Sequence, residues 1–226
     1  MYGKVGVNME RQLDQSVSKV EIKGITAKFY DQIMQIGSLG MYGRFLRSAI
    51  KKMEIRPTDA ILDLGCGTGH NDCLMAQYLN EQGRIVGVDK GAEMIAQFEK
   101  KCRDLPNVSL HVQSILEPLP FENEFDKVIM VFVFHGFTQE NRKIIAENAR
   151  KALKPGGQFI LLDFNEFDFK SKPFWFRWGF KAVECPLAFD FIERDWKTIF
   201  KEWGFDNFEE HFWFLNTMRL FKMTKK

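Results

Sequence analysis

The sequence predicts an α/β fold in which a mostly parallel, seven-stranded sheet is covered by helices on both faces. Two observations lead to this prediction. Short apolar runs alternate with amphipathic helical patterns through most of the chain, and a glycine-rich turn joins the first of these runs to the helix after it. Such alternation is typical of parallel sheets whose two faces are both buried. At 226 residues, the chain is long enough to bury the core of one larger domain.

The predicted elements follow one another at regular intervals. Residues 1–25 are polar with weak periodicity and are expected to form a partly ordered arm, so that 26–226 make up a single domain. Residues 26–54 are predicted to be helical, with a break near the glycines of 37–40. Strands are predicted at 60–64, 84–88, 107–112, 125–132 and 157–163, and helices at 70–81, 91–103 and 138–153.

The pattern changes in the last third of the chain. Residues 164–190 are irregular, and eleven of the residues from 164 to 196 are aromatic. A helix is predicted at about 192–203, and two apolar strands at 205–213 and 216–223 bring the number of strands to seven. Because so many rings must bury against something, this segment either roofs the core or lines an apolar cavity.

The composition argues against several classes of protein. The 32 basic and 30 acidic side chains give a net charge of +2, which provides no overall footprint for nucleic acid, although a local basic patch stays open. The four cysteines have no C-x-x-C spacing, so we expect reduced thiols in a cytoplasmic protein, with neither disulfides nor a metal site. The N-terminal region has no long apolar run, which predicts neither a signal peptide nor a transmembrane helix.

The most informative stretch is Ile61–Gly69, with the sequence Ile-Leu-Asp-Leu-Gly-Cys-Gly-Thr-Gly. Glycines allow a tight turn and the close approach of a ligand to the backbone, and the N-terminus of the next helix offers free N–H groups. Twenty residues past Gly69, a second apolar run ends in Asp89. An acidic residue at this place binds the ribose hydroxyls of nucleotides in many α/β folds.

The details of the turn argue against a dinucleotide ligand. The dinucleotide fingerprint has glycine at its first, third and sixth positions, and the sixth position here is His70. Asp63, two residues before the first glycine, would repel a pyrophosphate but would suit a ligand with an ammonium or sulfonium charge. The alternative is an ordinary turn whose glycines serve packing only, with Asp89 as a solvated carboxylate.

This stretch closely resembles the first motif of the class I S-adenosylmethionine (SAM) methyltransferases. Val86–Asp89 resembles the second-strand motif of that family, and Leu119–Phe121 followed by Phe125–Val128 resembles the start of its fourth strand. Ala152–Gly157 resembles the turn before its fifth strand, and the likeness extends over roughly residues 28–163. The resemblance implies a Rossmann-like fold that ends in an antiparallel hairpin, with SAM as the cofactor.

The resemblance also implies roles for individual residues. The backbone of the glycine turn is expected to pack against SAM, Asp63 to face its amino-acid moiety and Asp89 to bind its ribose. Lys90 and Met94 are expected to flank the adenine. The implied cofactor-binding set is Tyr30, Asp63, Gly65, Cys66, Gly67, Gly69, Asp89, Lys90, Met94, Ser114 and Ile115.

The adenine side departs from the family pattern. The family often has an acidic residue after the third strand that reaches the adenine amino group, and Ser114 stands at or near that place here. Backbone N–H groups and apolar packing can also hold an adenine, and Ile115 fits such packing. The missing acidic residue changes the expected contact with the adenine, but SAM remains the expected cofactor.

His135 is the leading candidate for acid–base chemistry. It follows the apolar run Val128–Phe134, where this fold presents residues to the substrate. Methyl transfer is an in-line displacement, so a base is needed only if the acceptor must lose a proton. A histidine has an ordinary pKa suited to that task at neutral pH. The alternative is a packing or helix-start histidine; Asp163 and Glu166 are weaker candidates.

The acceptor is predicted from the N-terminal region and from the aromatic segment. Ala27–Asp31, with Ser38–Met41 and Arg44, resembles the ubiquinone/menaquinone-biosynthesis C-methyltransferases, in which the tyrosine, here Tyr30, lies near the cofactor. Segment 164–196 lies where the family often builds a cover over its substrate. Together they predict a small apolar or aromatic acceptor, either quinone-like or a lipid, with transient membrane contact.

Other functions remain as alternatives. Methyltransferases of polar small molecules and of phospholipid headgroups share the same core. A catalytically silent SAM-binding protein and a nicotinamide-dependent oxidoreductase are the competing classes, and His70 speaks against the second.

Overall fold

A computed structural model describes residues 14–18 and 41–226 of the protein. Over these residues, the α-helices are α1 (Met41–Lys52), α2 (His70–Ala76), α3 (Ala92–Lys101), α4 (Gln139–Ala152), α5 (Phe174–Val183), α6 (Pro186–Ile192) and α7 (Trp196–Glu202). The strands are β1 (Ala60–Leu64), β2 (Arg84–Asp89), β3 (Val108–Val112), β4 (Phe125–Val131), β5 (Leu153–Phe164), β6 (Phe205–Trp213) and β7 (Met218–Lys225). Short 3-10 turns cover Gln15–Val17, Phe134–Gly136 and Phe169–Ser171.

The strands form one seven-stranded sheet in the order β3-β2-β1-β4-β5-β7-β6. The first five strands of the chain pair in parallel, and β7 pairs antiparallel with both β5 and β6. This arrangement confirms the predicted Rossmann-like α/β fold with its antiparallel C-terminal hairpin. The strand order reverses at β1, which lies between β2 and β4, and ligands of such sheets bind at the carboxyl edge near that point.

Apolar layers cover both faces of the sheet. Side chains alternate between the two faces of a strand, so Leu62 and Leu64 belong to the layer that includes α4, α6 and α7, while Ile61 belongs to the layer that includes α1 and α2. All five residues of β1 are buried, as expected of a central parallel strand. The carboxyl end of β1 is therefore held rigidly between two packed layers.

The prediction of an irregular segment over 164–190 is wrong in its second half. Phe174–Val183 and Pro186–Ile192 are helices, and the predicted helix at 192–203 begins only at Trp196. The periodicity was hidden because α5 has rings on both of its faces, with Phe176 and Phe180 packed inward and other aromatic residues exposed.

Several predictions fall outside the described residues. Tyr30 is one of them, as is most of the proposed arm, of which the structure describes only 14–18. The stretch 27–40, which carries most of the resemblance to the quinone methyltransferases, also falls there. Within the described part of the chain, no helix is both long and apolar enough to cross a bilayer.

Candidate active site

The glycine turn after β1 leaves an open space beside one of its glycines. Gly65, Gly67 and Gly69 all have a positive φ, which favours glycine. A Cβ on Gly69 would lie 2.7 Å from the Phe98 ring, so that glycine serves the packing of α3 against the turn. A Cβ on Gly67 would meet only the Met94 sulfur, at 3.9 Å. The packing-only alternative therefore describes Gly69 but not Gly67, whose half-buried backbone has space beside it for a ligand.

Asp89 fixes the turn from the carboxyl end of β2. Its Oδ2 accepts a hydrogen bond from the backbone N–H of Gly67 at 2.9 Å, and its Oδ1 accepts one from Gly91 at 2.8 Å. A carboxylate has about four acceptor positions, so each oxygen can accept a further hydrogen bond. Asp89 is thus held beside the open glycine with acceptor capacity to spare, which is what two vicinal hydroxyls require.

Asp63 is a buried carboxylate at the end of β1. It is 1% exposed, and neither oxygen has a hydrogen-bond partner among the described residues. Burial raises its pKa to about 7, and the negative charge of Asp89 adds to this effect. Buried carboxylates are ordinarily paired or hydrogen-bonded. Among the described residues nothing neutralises Asp63, and a cationic ligand group would do so.

The residues expected around an adenine lie at the same edge of the sheet. Met94 and Ile115 are buried at 8% exposure, and Met94 is the side chain nearest to the open position at Gly67. The hydroxyl of Ser114 accepts a hydrogen bond from the backbone N–H of Leu116 at 3.3 Å. Because Gln113 donates its N–H to the Asp89 carbonyl at 3.2 Å, this segment is tied to β2. The structure brings this predicted group together, and its contacts with SAM stay predictions.

His135 lies at the carboxyl end of β4, buried between two carboxylates. Its Nδ1 is 2.7 Å from Asp163 Oδ1, and its Nε2 is 3.4 Å from Glu184 Oε2. Burial alone would lower the pKa of His135, but the charges and hydrogen bonds of Asp163 and Glu184 outweigh it and raise the pKa to about 10. The raised pKa favours the imidazolium form at neutral pH, and in that form the ring is a proton donor.

Residues 55–204, more than half of the chain, match the family of methyltransferase domains. The chain belongs to this family. Together with the strand order and the glycine turn, the match establishes a class I SAM methyltransferase domain. The assignment agrees with the resemblance carried by the motifs from Ile61 to Gly157.

Curated relatives of this methyltransferase domain act in quinone biosynthesis according to their names. The ubiquinone/menaquinone biosynthesis C-methyltransferase UbiE of Wigglesworthia glossinidia brevipalpis is 31% identical over 148 residues, which are 63% of this chain and 58% of that protein. The 2-phytyl-1,4-naphtoquinone methyltransferase of Trichormus variabilis is 29% identical over 166 residues, which are 72% of this chain and 71% of that protein. The chain thus spans less than two thirds of the first relative's length and more than two thirds of the second's.

A solved structure supports the fold of the methyltransferase domain over nearly its whole length. The crystal structure of a SAM-dependent methyltransferase from Aquifex aeolicus aligns with a TM-score of 0.60 at 16% identity, covering 94% of this chain and 99% of that one. At this identity the likeness concerns the fold alone.

Two side chains beside the candidate site of the methyltransferase domain were missed from the sequence. Glu184 follows α5 and approaches His135, although 49 residues separate them in the chain. Asp72, in α2, is fully buried, and its oxygens also lack a hydrogen-bond partner within the described ranges. Burial raises the pKa of Asp72, and the neighbouring Asp63 charge raises it further. An acidic residue in a first helical turn resembles an ordinary end charge, so nothing in the sequence marked it.

Arg142 holds the His135 turn in place. Its guanidinium is fully buried and donates to the carbonyls of His135 at 2.8 Å and Leu187 at 2.9 Å, and to Asp190 Oδ2 at 2.6 Å. Arg142 therefore joins the 3-10 turn that follows β4 to helix α6. Glu166, one of the two weaker candidates for acid–base chemistry, forms an ion pair with Arg219 at 2.8 Å. This contact gives Glu166 a structural role.

Residues 14–18 reach the same turn. The Gln15 side-chain amide donates to the Gly136 carbonyl at 2.9 Å and accepts from the Thr138 N–H at 3.0 Å. Ser18 Oγ donates to the same Gly136 carbonyl at 2.7 Å. This part of the N-terminal region thus borders the site beside His135.

The aromatic segment divides into two groups. Phe180, Phe191 and Trp196 are buried, as the core-roof alternative requires. Trp175 and Trp178 are 58% and 75% exposed, so they do not cover the hydrophobic core. Phe164 joins the first group to the site, since its ring centroid lies 5.0 Å from those of both His135 and Phe180.

Proposed function

We propose that this domain transfers the methyl group of SAM to a small apolar or aromatic acceptor of the quinone type. The observation that carries the SAM assignment is the buried Asp63, which has no hydrogen-bond partner in the described part of the chain, beside the open space at Gly67. A ligand with an α-ammonium group would neutralise Asp63, and vicinal hydroxyls would use the remaining acceptor positions of Asp89. The residues present therefore fit the group that the family uses.

The proposed binding residues divide by the part of SAM that they hold. Asp63 takes the amino group, Asp89 the ribose, and the backbone from Gly65 through Cys66 to Gly69 lies along the ligand. The adenine packs among Lys90, Met94, Ser114 and Ile115. Tyr30 stays a proposed cofactor contact on the resemblance alone. Bound SAM supplies a sulfonium methyl group that is open to in-line displacement.

His135 is proposed to act on the acceptor in its protonated form. A buried cation favours the anionic state of a nearby hydroxyl, because opposite charges lower the pKa of an acid. A quinol-type acceptor would gain nucleophilic character in this way by passing its hydroxyl proton to the Glu184 carboxylate, which lies 3.4 Å from the ring Nε2; His135 itself takes no proton. Asp163 and Glu184 hold the imidazolium in place, and Phe164 beside it offers an apolar surface for a ring.

The quinone-type acceptor is supported by two independent features. The relatives are named for ubiquinone/menaquinone biosynthesis and for a naphthoquinone, and the ring of Phe164 on β5 packs beside His135 with Phe180 of α5 behind it. A polar acceptor or a phospholipid headgroup would have little use for that apolar lining.

The decisive experiment measures cofactor binding and product separately. Calorimetry should detect SAM and S-adenosylhomocysteine and no NAD. Release of S-adenosylhomocysteine should then depend on a quinol-type acceptor. SAM binding without turnover on any acceptor would favour a catalytically silent binding protein, and NAD binding without SAM binding would overturn the proposal.

A further inference from the structure

We propose that α5 and the turn between β6 and β7 dock on the surface of a membrane that contains anionic lipid. Docking would present the site to an acceptor dissolved in the bilayer. That consequence rests on the proposed function, whereas the docking itself rests on the surface described below and can be measured without methyl transfer.

One face of α5 exposes aromatic rings to solvent. Phe174, Trp175 and Trp178 are 82%, 58% and 75% exposed. Lys181 and Ala182 are also exposed, and the spacing of these five residues places them on one side of a helix. Single exposed apolar residues need no explanation, but a contiguous aromatic face marks an interaction surface.

The inner face of the same helix is anchored in the core. Phe180 is buried against Phe164, and Phe176 stacks on Phe180 at 5.8 Å. The helix therefore cannot bury its outer rings by turning over, because doing so would expose Phe180. The outer rings are therefore available to a partner.

Cations flank the exposed rings along the chain. Lys170, Lys172, Arg177 and Lys181 lie in or just before α5, which has no acidic residue. Asp168 is the one carboxylate between residues 168 and 183. Tryptophan together with lysine or arginine is the combination that settles at a bilayer interface, with the rings among the headgroups and the cations near lipid phosphates. This charge complementarity favours an anionic membrane over a protein partner.

The turn between β6 and β7 extends the surface. Phe214 and Leu215 are 49% and 75% exposed, and Lys172 Nζ donates to the Leu215 carbonyl at 3.3 Å. Asn165, directly after β5, donates its N–H to the Thr217 carbonyl at 3.0 Å. The docking surface, defined as α5 with residues 214–215, therefore lies at the carboxyl edge of the sheet.

The docking surface is separated from His135 by a thin aromatic layer. Phe180, on the inner side of α5, contacts Phe164, and Phe164 contacts the His135 ring, each at a centroid distance of 5.0 Å. A helix seated among headgroups would thus hold the acceptor side of the site against the bilayer.

Vesicle co-sedimentation tests the docking directly. The probes are phosphatidylcholine vesicles with and without phosphatidylglycerol, used without SAM. The wild-type protein should bind the anionic vesicles more tightly, and added salt should weaken that binding. Lys170→Gln/Lys181→Gln should lower the anionic preference by about fivefold per cation. Trp175→Ser/Trp178→Ser should lower binding to both kinds of vesicle by about tenfold or more.

The matched control removes exposed side chains elsewhere. Tyr78→Ser/Val112→Ser changes residues that are 39% and 60% exposed and lie outside the docking surface. It should bind vesicles like the wild type, and equal melting temperatures of the variants would exclude unfolding as the cause. Brominated phosphatidylcholine should quench the wild-type tryptophan fluorescence, and the double tryptophan variant should lose most of that quenching.

Three outcomes would overturn the proposal. These are no binding to anionic vesicles, binding that Trp175→Ser/Trp178→Ser leaves unchanged, and a dimer in sedimentation velocity that the same variant dissociates. In the last case a second copy of the chain covers the surface. SAM calorimetry keeps the two proposals apart, since a protein can bind vesicles and not SAM, or SAM and not vesicles.

Discussion

His135 and Asp163 are joined by two hydrogen bonds, one from the ring and one from the backbone. The ring Nδ1 lies 2.7 Å from Asp163 Oδ1, and the His135 N–H donates to Asp163 Oδ2 at 3.1 Å. The carboxylate thus holds both the orientation and the charge of the imidazole. Asp163 also accepts from the N–H of Phe164 at 2.8 Å, so it is itself fixed at the end of β5.

This pair makes stability depend on pH in the alkaline range. The pKa of His135 is raised from 6.5 to about 10 in the folded protein. Its stabilising contribution is therefore fully present below about pH 6.5 and is lost as the pH rises through about 10. Urea denaturation should show the wild type losing up to a few kcal/mol over that range, and His135→Gln should show a flatter profile. Parallel profiles for the two proteins would contradict the raised pKa.

The two carboxylates beside His135 should have unequal effects. Asp163→Asn removes the partner at 2.7 Å and Glu184→Gln the one at 3.4 Å, so both should lower the His135 pKa, the first by more. NMR titration of the imidazole measures this directly. Turnover at neutral pH should fall in the same order while SAM affinity stays near the wild-type value, because neither residue belongs to the glycine turn.

A contrary result for the carboxylates would be informative. If Asp163→Asn folds, has a neutral imidazole at pH 7 and turns over as fast as the wild type, His135 has only a structural role. The acceptor would then be one that needs no anionic form, such as a tertiary amine. Faster turnover in this variant would instead restore the general-base interpretation.

We expect the buried Asp63 carboxylate to destabilise the protein when no ligand is bound. Its pKa is raised from 3.8 to about 7 in the folded protein. Between about pH 4 and pH 7 the Asp63 carboxyl is therefore ionised in the unfolded chain but still largely protonated in the folded protein. The free energy of unfolding falls over this range as the pH rises. Asp63→Asn should raise the free energy of unfolding at pH 8 by about 1 kcal/mol or more and should weaken SAM binding. SAM affinity of the wild type should improve with pH over the same range.

Asp126→Asn is the matched control for Asp63. Asp126 accepts hydrogen bonds from the Ala60 N–H and from Lys154 Nζ. Its pKa is lowered because those bonds and charges outweigh partial burial. This change should therefore destabilise the protein, most clearly above pH 4, and spare SAM affinity. A loss of stability in Asp63→Asn with unchanged SAM binding would remove Asp63 from the site.

The sequence predicts the glycine turn and its acidic neighbours well because their relationships are local. Asp63, the three glycines and Asp89 lie within 27 consecutive residues, and the βαβ geometry brings the ends of β1 and β2 together whatever the rest of the chain does. His135 follows by the same logic from the end of β4. For these residues, the position along a strand is enough to predict that the side chain lies at the candidate site.

Glu184 and Asp72 show where that logic ends. Glu184 reaches His135 only because α5 packs across the end of β5, and the rings on both faces of α5 hide its helical period. Asp72 acquires its significance from burial, which depends on how α2 and α3 pack. The charge state of His135 is likewise a property of its two carboxylates and could not be predicted from the residue and its strand position.

Gly67 and Gly69 offer a paired test of the candidate cofactor site, because both have a positive φ but different surroundings. Alanine at either position should therefore carry a similar backbone cost of about 1 kcal/mol. At Gly69 the new Cβ would also lie 2.7 Å from Phe98 and 2.8 Å from the Cys102 sulfur, so Gly69→Ala should lower the melting temperature strongly. At Gly67 the nearest atom is 3.9 Å away, so Gly67→Ala should lower the melting temperature only by the roughly 2–4 °C that the backbone cost implies. Its SAM affinity should nonetheless fall by about tenfold or more, since the methyl group occupies the space that the ligand needs. Calorimetry and thermal melts on the two variants separate the roles; normal SAM binding by a folded Gly67→Ala would mean that this space is not where the cofactor lies.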